Sequence, residues 1–326
     1  MKGAKSLKPN ILILTPLHDL PLVVNELKSF GNLIYEHSGD TKLVGEKIQV
    51  ADYIFTNPNK NTVFLGNDLL KNAQRLRAIS TASTGLTHID QECLKRTEVA
   101  LISLREAKEL LKDLPSTAEL AVGLTFLGLR NLFSAVLSTS RGEWDYEKYV
   151  GKQLGGKKVG VVGMGRLGNM YAKFMRGLGA EVAYYDPYVE KFEDFPRFEF
   201  FSDLVEWADI LSLHAHVNSS SSKMLNKDIL NFAKSDITII NTARGELVDE
   251  VELIEFLSKN QKAKYLADVY TDEHLEFKAS PIFAKLGSQL IITPHIGGMT
   301  IEGRAKAFLY AAKSLKVFHN NYVKAV

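Results

Sequence analysis

Three polar clusters stand directly after apolar, β-branched runs. Asn241-Thr242-Ala243-Arg244-Gly245 follows Ile237–Ile240, and Ala267-Asp268-Val269-Tyr270-Thr271-Asp272-Glu273 follows Lys264–Leu266. Thr293-Pro294-His295-Ile296-Gly297-Gly298 follows Leu290–Ile292. Together they supply an arginine, several carboxylates and a histidine. Reduction of a ketone by hydride needs a proton donor for the developing alkoxide, and a histidine suits that task near neutral pH. A neighbouring carboxylate favours the imidazolium form. An arginine can clamp a carboxylate with paired hydrogen bonds and polarise the adjacent carbonyl. Each residue also has a plainer reading. His295 after Pro294 can be a turn residue, Arg244 an ion-pair residue, Glu273 part of a solvated acidic loop with Asp272 and Glu276, and Asp268 a cap on the next turn. What favours chemistry is their joint placement downstream of a glycine motif.

That motif is Gly163-Met164-Gly165-Arg166-Leu167-Gly168, placed after the run Lys158–Val162 and opening a helical pattern. Gly163 permits a tight turn, Gly165 lets backbone approach a pyrophosphate, and Gly168 lets helix and strand pack closely. Amides at the helix start can then hold the phosphates. Asp186 ends the next run, Val182–Tyr185, at the distance where a carboxylate reaches adenosine ribose hydroxyls and repels a 2′-phosphate. These residues predict a dinucleotide site that takes NAD in preference to NADP. The upstream Gly151-x4-Gly156-Lys157 mimics a P-loop, but Lys158 replaces the Ser or Thr and the glycines precede a strand, so nucleoside-triphosphate hydrolysis is excluded.

The elements that must carry these clusters alternate. Strands are predicted at Ile11–Thr15, Leu33–Tyr35, Tyr53–Thr56, Arg77–Thr81, Lys158–Val162, Glu181–Tyr185, Ile210–His214, Ile237–Asn241, Tyr265–Val269 and Leu290–Thr293. Helical spacing lies between them, as at Leu167–Leu178 and Val251–Leu257. This pattern predicts parallel strands with crossover helices, an α/β fold. The strands are apolar on both faces, as helix-covered strands should be. Two long helices read as connectors. One begins near Pro115-Ser116-Thr117, with Ser116 and Glu119 as a capping box, and runs to about Ser138. The other covers Thr300 to Val323, capped by Thr300. If they link two domains, one is inserted into the other.

The chain of 326 residues suits about two domains. Forty Lys and Arg against 38 Asp and Glu leave a charge of +2, which gives no sign of a nucleic-acid or membrane-surface partner. A single cysteine, Cys93, excludes an intrachain disulfide and argues against a thiolate metal site. The run Ile11–Leu14 is too short for a signal-peptide core, and no window approaches a membrane span. The expectation is a cytoplasmic protein with no metal.

At these residues the sequence resembles the D-isomer-specific 2-hydroxyacid dehydrogenase family, from about Ile79 to Glu302. The segments carrying the resemblance are Ser80–Asp90, Ser116–Glu119, Gly142–Trp144, the glycine turn, and the three polar clusters. The resemblance implies two doubly wound parallel-sheet domains. A Rossmann NAD-binding domain (116–295) would be inserted into a flavodoxin-like substrate domain (1–115 and 296–326). It implies His295 as acid/base, Glu273 as its hydrogen-bond partner, and Arg244 on the substrate carboxylate and carbonyl. Backbone amides at Ser83 and Thr84 would hold the same carboxylate. Arg166 and Leu167 would offer amides to the pyrophosphate, Asp186 would take the ribose, and Asp268 would accept from the nicotinamide carboxamide. Thr84, Ala215, Thr242, Ala243, Arg244, His295, Gly297 and Gly298 would complete the cofactor contacts. The reaction implied is hydride transfer between a small (R)-2-hydroxy acid and its 2-keto acid, by a homodimer joined through the cofactor domain.

The chain departs from the family pattern in places. His274 replaces the usual proline after Glu273, His216 replaces the proline of a His-x-Pro-Leu-Thr segment, and Ser83 stands where glycine is common. None removes a catalytic group. An NADH-sensing, corepressor-like regulator is the alternative from another class, and formate or phosphite oxidation a third; the retained Glu273 argues against formate. Lys60 is a candidate phosphate partner or a plain surface lysine.

Overall fold

The computed structural model describes residues 8–58, 63–189, 194–273, 280–285 and 287–325. Lys60, His274 and Glu276 lie outside the described residues. Contacts divide the chain into two compact units, Met1–Leu114 with Thr300–Val326, and Pro115–Met299.

The first unit holds a five-stranded parallel sheet. Its strands are β1 (Asn10–Ile13), β2 (Asn32–Tyr35), β3 (Tyr53–Thr56), β4 (Ala78–Thr81) and β5 (Ala100–Ile102), in the order β2-β1-β3-β4-β5. Alternation along each strand feeds two cores. Ile11, Ile13 and Phe55 pack on one face with Leu27, Phe308 and Leu315, while Leu12, Ile54 and Ile79 pack on the other with Val44, Ile48 and Leu65. Each fully buried Leu or Ile contributes about 1.5–3 kcal/mol. The C-terminal helix Ile301–Ala325 covers the first face, and the Ser80 hydroxyl donates to the Ala311 carbonyl at 3.1 Å.

The second unit holds β6 (Lys158–Val162), β7 (Glu181–Tyr185), β8 (Ile210–Leu213), β9 (Thr238–Asn241), β10 (Lys264–Ala267) and β11 (Leu290–Ile292). All pair in parallel, in the order β11-β10-β9-β8-β6-β7. From β6 the chain goes to β7 on one side and then to β8 on the other. In such sheets ligands bind at that reversal, outside the carboxyl ends of the strands.

The ten strands read from the sequence are present, with ends displaced by at most two residues. β5 went unread because it is three residues long and pairs only with β4. The first connector helix differs more. It spans Ser116–Leu129 and breaks before a second helix, Leu132–Ser140. Asn131 takes a left-handed conformation at φ 55°. The Lys264 ammonium donates to the Gly128 carbonyl at 2.5 Å and also to the Asn131 side chain, so the break is satisfied by a specific cation. The predicted capping box does not form. Pro115 already has helical angles and takes the cap position, which leaves Ser116 inside the first turn. The Thr300 cap does form, its hydroxyl accepting the Gly303 amide at 3.0 Å. Among the described residues no single helix is long and apolar enough to cross a membrane.

A close approach in the second unit is at Gly168, where a Cβ would lie 2.0 Å from the Gly163 carbonyl oxygen. Backbone must move to admit it. Gly168→Ala is therefore expected to cost about 1–3 kcal/mol, read as a lower urea midpoint with unchanged slope. A midpoint equal to wild type would contradict this packing.

Candidate active site

β6 runs straight into the glycine turn. Gly163 has φ 90°, and a Cβ there would sit 2.8 Å from the Ala215 amide nitrogen, just past β8. Only glycine meets both demands. Gly165 caps the helix Arg166–Gly177, which has no side-chain cap, and a Cβ on Gly165 would meet nothing within 4 Å. The helix start thus faces open space on backbone alone, the arrangement a pyrophosphate requires. Leu167 is partly buried against the core, and burial pushes the Arg166 guanidinium below its ordinary pKa.

Asp186 is buried at the end of β7. One oxygen accepts the Met164 amide of the glycine turn at 2.8 Å, and the other accepts the amides of Tyr188 at 2.8 Å and Val189 at 3.2 Å. An ionised carboxylate offers about four lone-pair sites, so these amides leave room for about one more donor. Asp186 therefore also ties β7 to the turn, a task its spacing alone did not reveal.

The end of β9 is shaped by Asn241. Its side-chain amide donates to the Arg244 carbonyl at 2.9 Å and to the Tyr265 hydroxyl at 3.0 Å, and its oxygen accepts the Ala243 amide at 3.0 Å. This turn presents Thr242, Ala243 and a partly buried Arg244. Arg244 Nη1 donates to the Ala243 carbonyl at 2.5 Å. The Thr242 hydroxyl oxygen is buried with no hydrogen-bond partner among the described residues, which fits a polar ligand. Together with the glycine cradle, it fits a bound dinucleotide.

The end of β11 is shaped by Asp268. Its carboxylate accepts the Thr293 hydroxyl at 2.5 Å, the Ile296 amide at 2.8 Å and the Gly297 amide at 2.7 Å. Burial nevertheless raises its pKa, outweighing these bonds and the charge of His295. Between the anchored residues, His295 is held at φ 52°, a left-handed conformation uncommon for residues other than glycine. A Cβ on Gly297 would come within 3.0 Å of Asp268, whereas Gly298 stands in open space.

This loop delivers His295 to Glu273, with Nδ1 2.6 Å from Oε2. The other Glu273 oxygen accepts the Tyr270 amide at 3.3 Å. An ionised carboxylate only accepts, so the imidazole carries a proton on Nδ1 and Nε2 is its second working atom. The side chains are 22% and 17% exposed, enough burial for the pair to escape most solvent screening.

The other imidazoles differ. His214 hydrogen-bonds Ser212 at 2.8 Å and packs on Tyr171, and burial pushes it down to about 3, so it stays neutral and does no proton work near neutral pH. His216 is exposed, and its carbonyl accepts the Ser221 hydroxyl. Ser83 and Thr84 belong to the first unit. There the Ser83 hydroxyl bonds Thr81 at 2.9 Å and donates to the Gly85 carbonyl at 2.7 Å, while Arg105 Nε donates to the Thr84 carbonyl at 3.0 Å. Sequence reading missed two acids of the second unit, Glu246 and Glu250. Burial raises the Glu246 pKa, with repulsion from Glu273 and Asp272 adding to it and attraction to Arg244 opposing it. Glu250 is buried, with a hydrogen bond to each carboxylate oxygen.

The raised pKa of Asp268 has two consequences of opposite sign. Its ionised form weighs against folding at neutral pH, so from this group alone global stability rises as pH falls through its folded pKa. The loop, however, loses its acceptor over the same range, at a pH above that of an ordinary aspartate. Asp268→Asn is therefore expected to speed hydrogen exchange at the Ile296 and Gly297 amides, by a local loss of about 1–3 kcal/mol. Unchanged exchange at both amides would contradict the anchoring.

Residues 122–297 match the family model described as "D-isomer specific 2-hydroxyacid dehydrogenase, NAD binding domain". The chain is similar to a D-3-phosphoglycerate dehydrogenase of Methanocaldococcus jannaschii, 28% identical over 94% of this chain and 56% of that protein. It is also similar to a hydroxypyruvate reductase of Thermotoga maritima, 30% identical over 73% of this chain and 76% of that one. A putative D-isomer specific 2-hydroxyacid dehydrogenase from Polaromonas shares the fold with a TM-score of 0.82, at 22% identity over 96% of this chain and 97% of that one. The chain spans about half the length of the first of these curated relatives. With more than half of its residues in the matched NAD-binding domain, the chain belongs to the D-isomer specific 2-hydroxyacid dehydrogenase family.

Proposed function

We propose that this protein is an NAD-dependent oxidoreductase acting between a small (R)-2-hydroxy acid and its 2-keto acid. The observation that carries the reading is the 2.6 Å contact between His295 Nδ1 and Glu273 on a loop held in a strained conformation. Bound NADH supplies the hydride. Glu273 stabilises the imidazolium of His295, whose Nε2 gives its proton to the alkoxide oxygen of the reduced substrate and regains one from solvent. Arg244 pairs with the substrate carboxylate and polarises its carbonyl. By the family pattern the amides of Ser83 and Thr84 also serve that carboxylate, and the unit containing them is assigned to substrate binding. Asp186 serves the ribose, and Thr242 and Ala243, with Ala215, the nicotinamide half. The relatives named for 3-phosphoglycerate and hydroxypyruvate support a small hydroxy or keto acid.

We further propose a homodimer in the cytoplasm. The helix Leu132–Ser140 and the segment after it expose a row of apolar side chains, with Val136 66%, Trp144 89%, Tyr146 81% and Val150 78% exposed. Patches of this kind mark protein interfaces. The one cysteine, Cys93, is buried and free, which suits a reducing compartment.

Keto-acid-dependent oxidation of NADH, followed over a panel of 2-keto acids, tests the reaction. His295→Ala is expected to lower kcat/KM by about 100- to 10,000-fold with NADH affinity kept. NADH binding without turnover on any acid would sink the reading and favour a sensing role. Light scattering should give twice the chain mass, and Val136→Asp with Trp144→Asp should halve it; a monomeric wild type would refute the dimer.

A further inference from the structure

Glu250 opens the helix Glu250–Lys259, which Asp249 caps by accepting the Glu252 amide at 3.2 Å. A carboxylate in a first helical turn gains from the helix dipole while remaining in solvent. Glu250 instead is 6% exposed. Burying a carboxylate is unfavourable unless its oxygens are satisfied, and here both are. One accepts the Thr271 amide at 2.7 Å, and the other accepts the Ser280 hydroxyl at 2.6 Å. Thr271 lies two residues before Glu273 and Ser280 seven residues after it. One carboxylate on a rigid helix thus fastens the chain on both sides of the residue that meets His295.

The local geometry makes this hold exacting. Successive amides are divided between two carboxylates, Tyr270 N–H donating to Glu273 and Thr271 N–H to Glu250. The same two residues press on Gly245, where a Cβ would fall 2.0 Å from the Tyr270 carbonyl carbon and 2.2 Å from the Thr271 nitrogen. Asp272, next in line, has φ 57°. The backbone therefore turns sharply between the Glu250 anchor and Glu273. A small shift at Thr271 would be carried directly to the 2.6 Å contact with His295.

We propose that Glu250 is a positioning residue for the acid–base pair: by holding Thr271 and Ser280 it fixes the Glu273 carboxylate at His295 Nδ1. Its consequence for turnover rests on the hydride-transfer reading, whereas the positioning can be measured without substrate. Glu250 touches no reacting atom and exchanges no proton in the reaction.

The test follows the hydrogen-bonded His295 Nδ1 proton as a downfield resonance in the full-length protein, assigned by its loss in His295→Gln. Glu250→Gln keeps an acceptor for the Thr271 amide and a partner for the rotatable Ser280 hydroxyl, so it should retain the resonance and most of the activity. Glu250→Ala should lose or broaden the resonance and lower kcat by about 10- to 100-fold, with the Kd for NADH within about twofold of wild type. Ser280→Ala removes one of the two holds with little change in volume. It should shift the resonance and lower kcat by a smaller factor, and it decides the matter if Glu250→Ala does not fold. A wild-type resonance and wild-type kcat in Ser280→Ala, or in a folded Glu250→Ala, would overturn the proposal. So would a Glu250→Gln as impaired as Glu250→Ala. If Glu250→Ala loses the resonance while the wild type reduces no keto acid, the positioning stands and the proposed reaction falls.

Discussion

A single buried carboxylate, that of Asp268, determines where the histidine can be. Three donors of the loop after β11 converge on it. Hydrogen bonds to a charged acceptor contribute about 1.5–3 kcal/mol each, while a left-handed residue costs about 1–2 kcal/mol. Burial of the ionised carboxylate outweighs that gain, since its pKa is raised in spite of the bonds. Leaving this buried carboxylate without its three donors would cost more than one left-handed residue, so the loop closes on it. The strained conformation is thus imposed by the end of β10, and the ring reaches Glu273 as a result.

Strand ends, glycine contacts and buried acids act together in the second unit. Gly163 and Gly168 bring the first turn of the helix onto β6, and Asp186 ties that turn to β7. Gly245 lets the Arg244 turn lie against Tyr270 and Thr271. Each contact is short range, yet the chain reaches the cluster from three different strands, because a parallel sheet gathers its carboxyl ends along one edge.

Much of this was legible in the sequence. The strands appear as apolar runs because helices cover both sheet faces, and Gly163, Gly165 and Gly168 announce a turn that only glycine permits. The pairing of His295 with Glu273 could be expected from family pattern but not from spacing, since 22 residues separate them and β11 lies between. Other features depend on contacts that sequence does not encode locally. The break at Asn131 is satisfied by Lys264, which lies 133 residues away. Ser116 looked like a helix cap, but Pro115 supplies the first helical angles. In the sequence nothing sets Glu250 apart from the neighbouring acids, and only its burial against Thr271 and Ser280 distinguishes it. Asp186 was read for what it could bind, while its three amide partners became visible only in the folded chain.

The central claim is that His295 and Glu273 complete a hydride transfer to the carbonyl carbon of a 2-keto acid. The most direct measurement uses NADH deuterated at nicotinamide C4, with the product resolved by chiral chromatography and mass spectrometry. The account predicts an (R)-2-hydroxy acid carrying deuterium at C2. Product without deuterium, product of the (S) configuration, or no product from any 2-keto acid would contradict it.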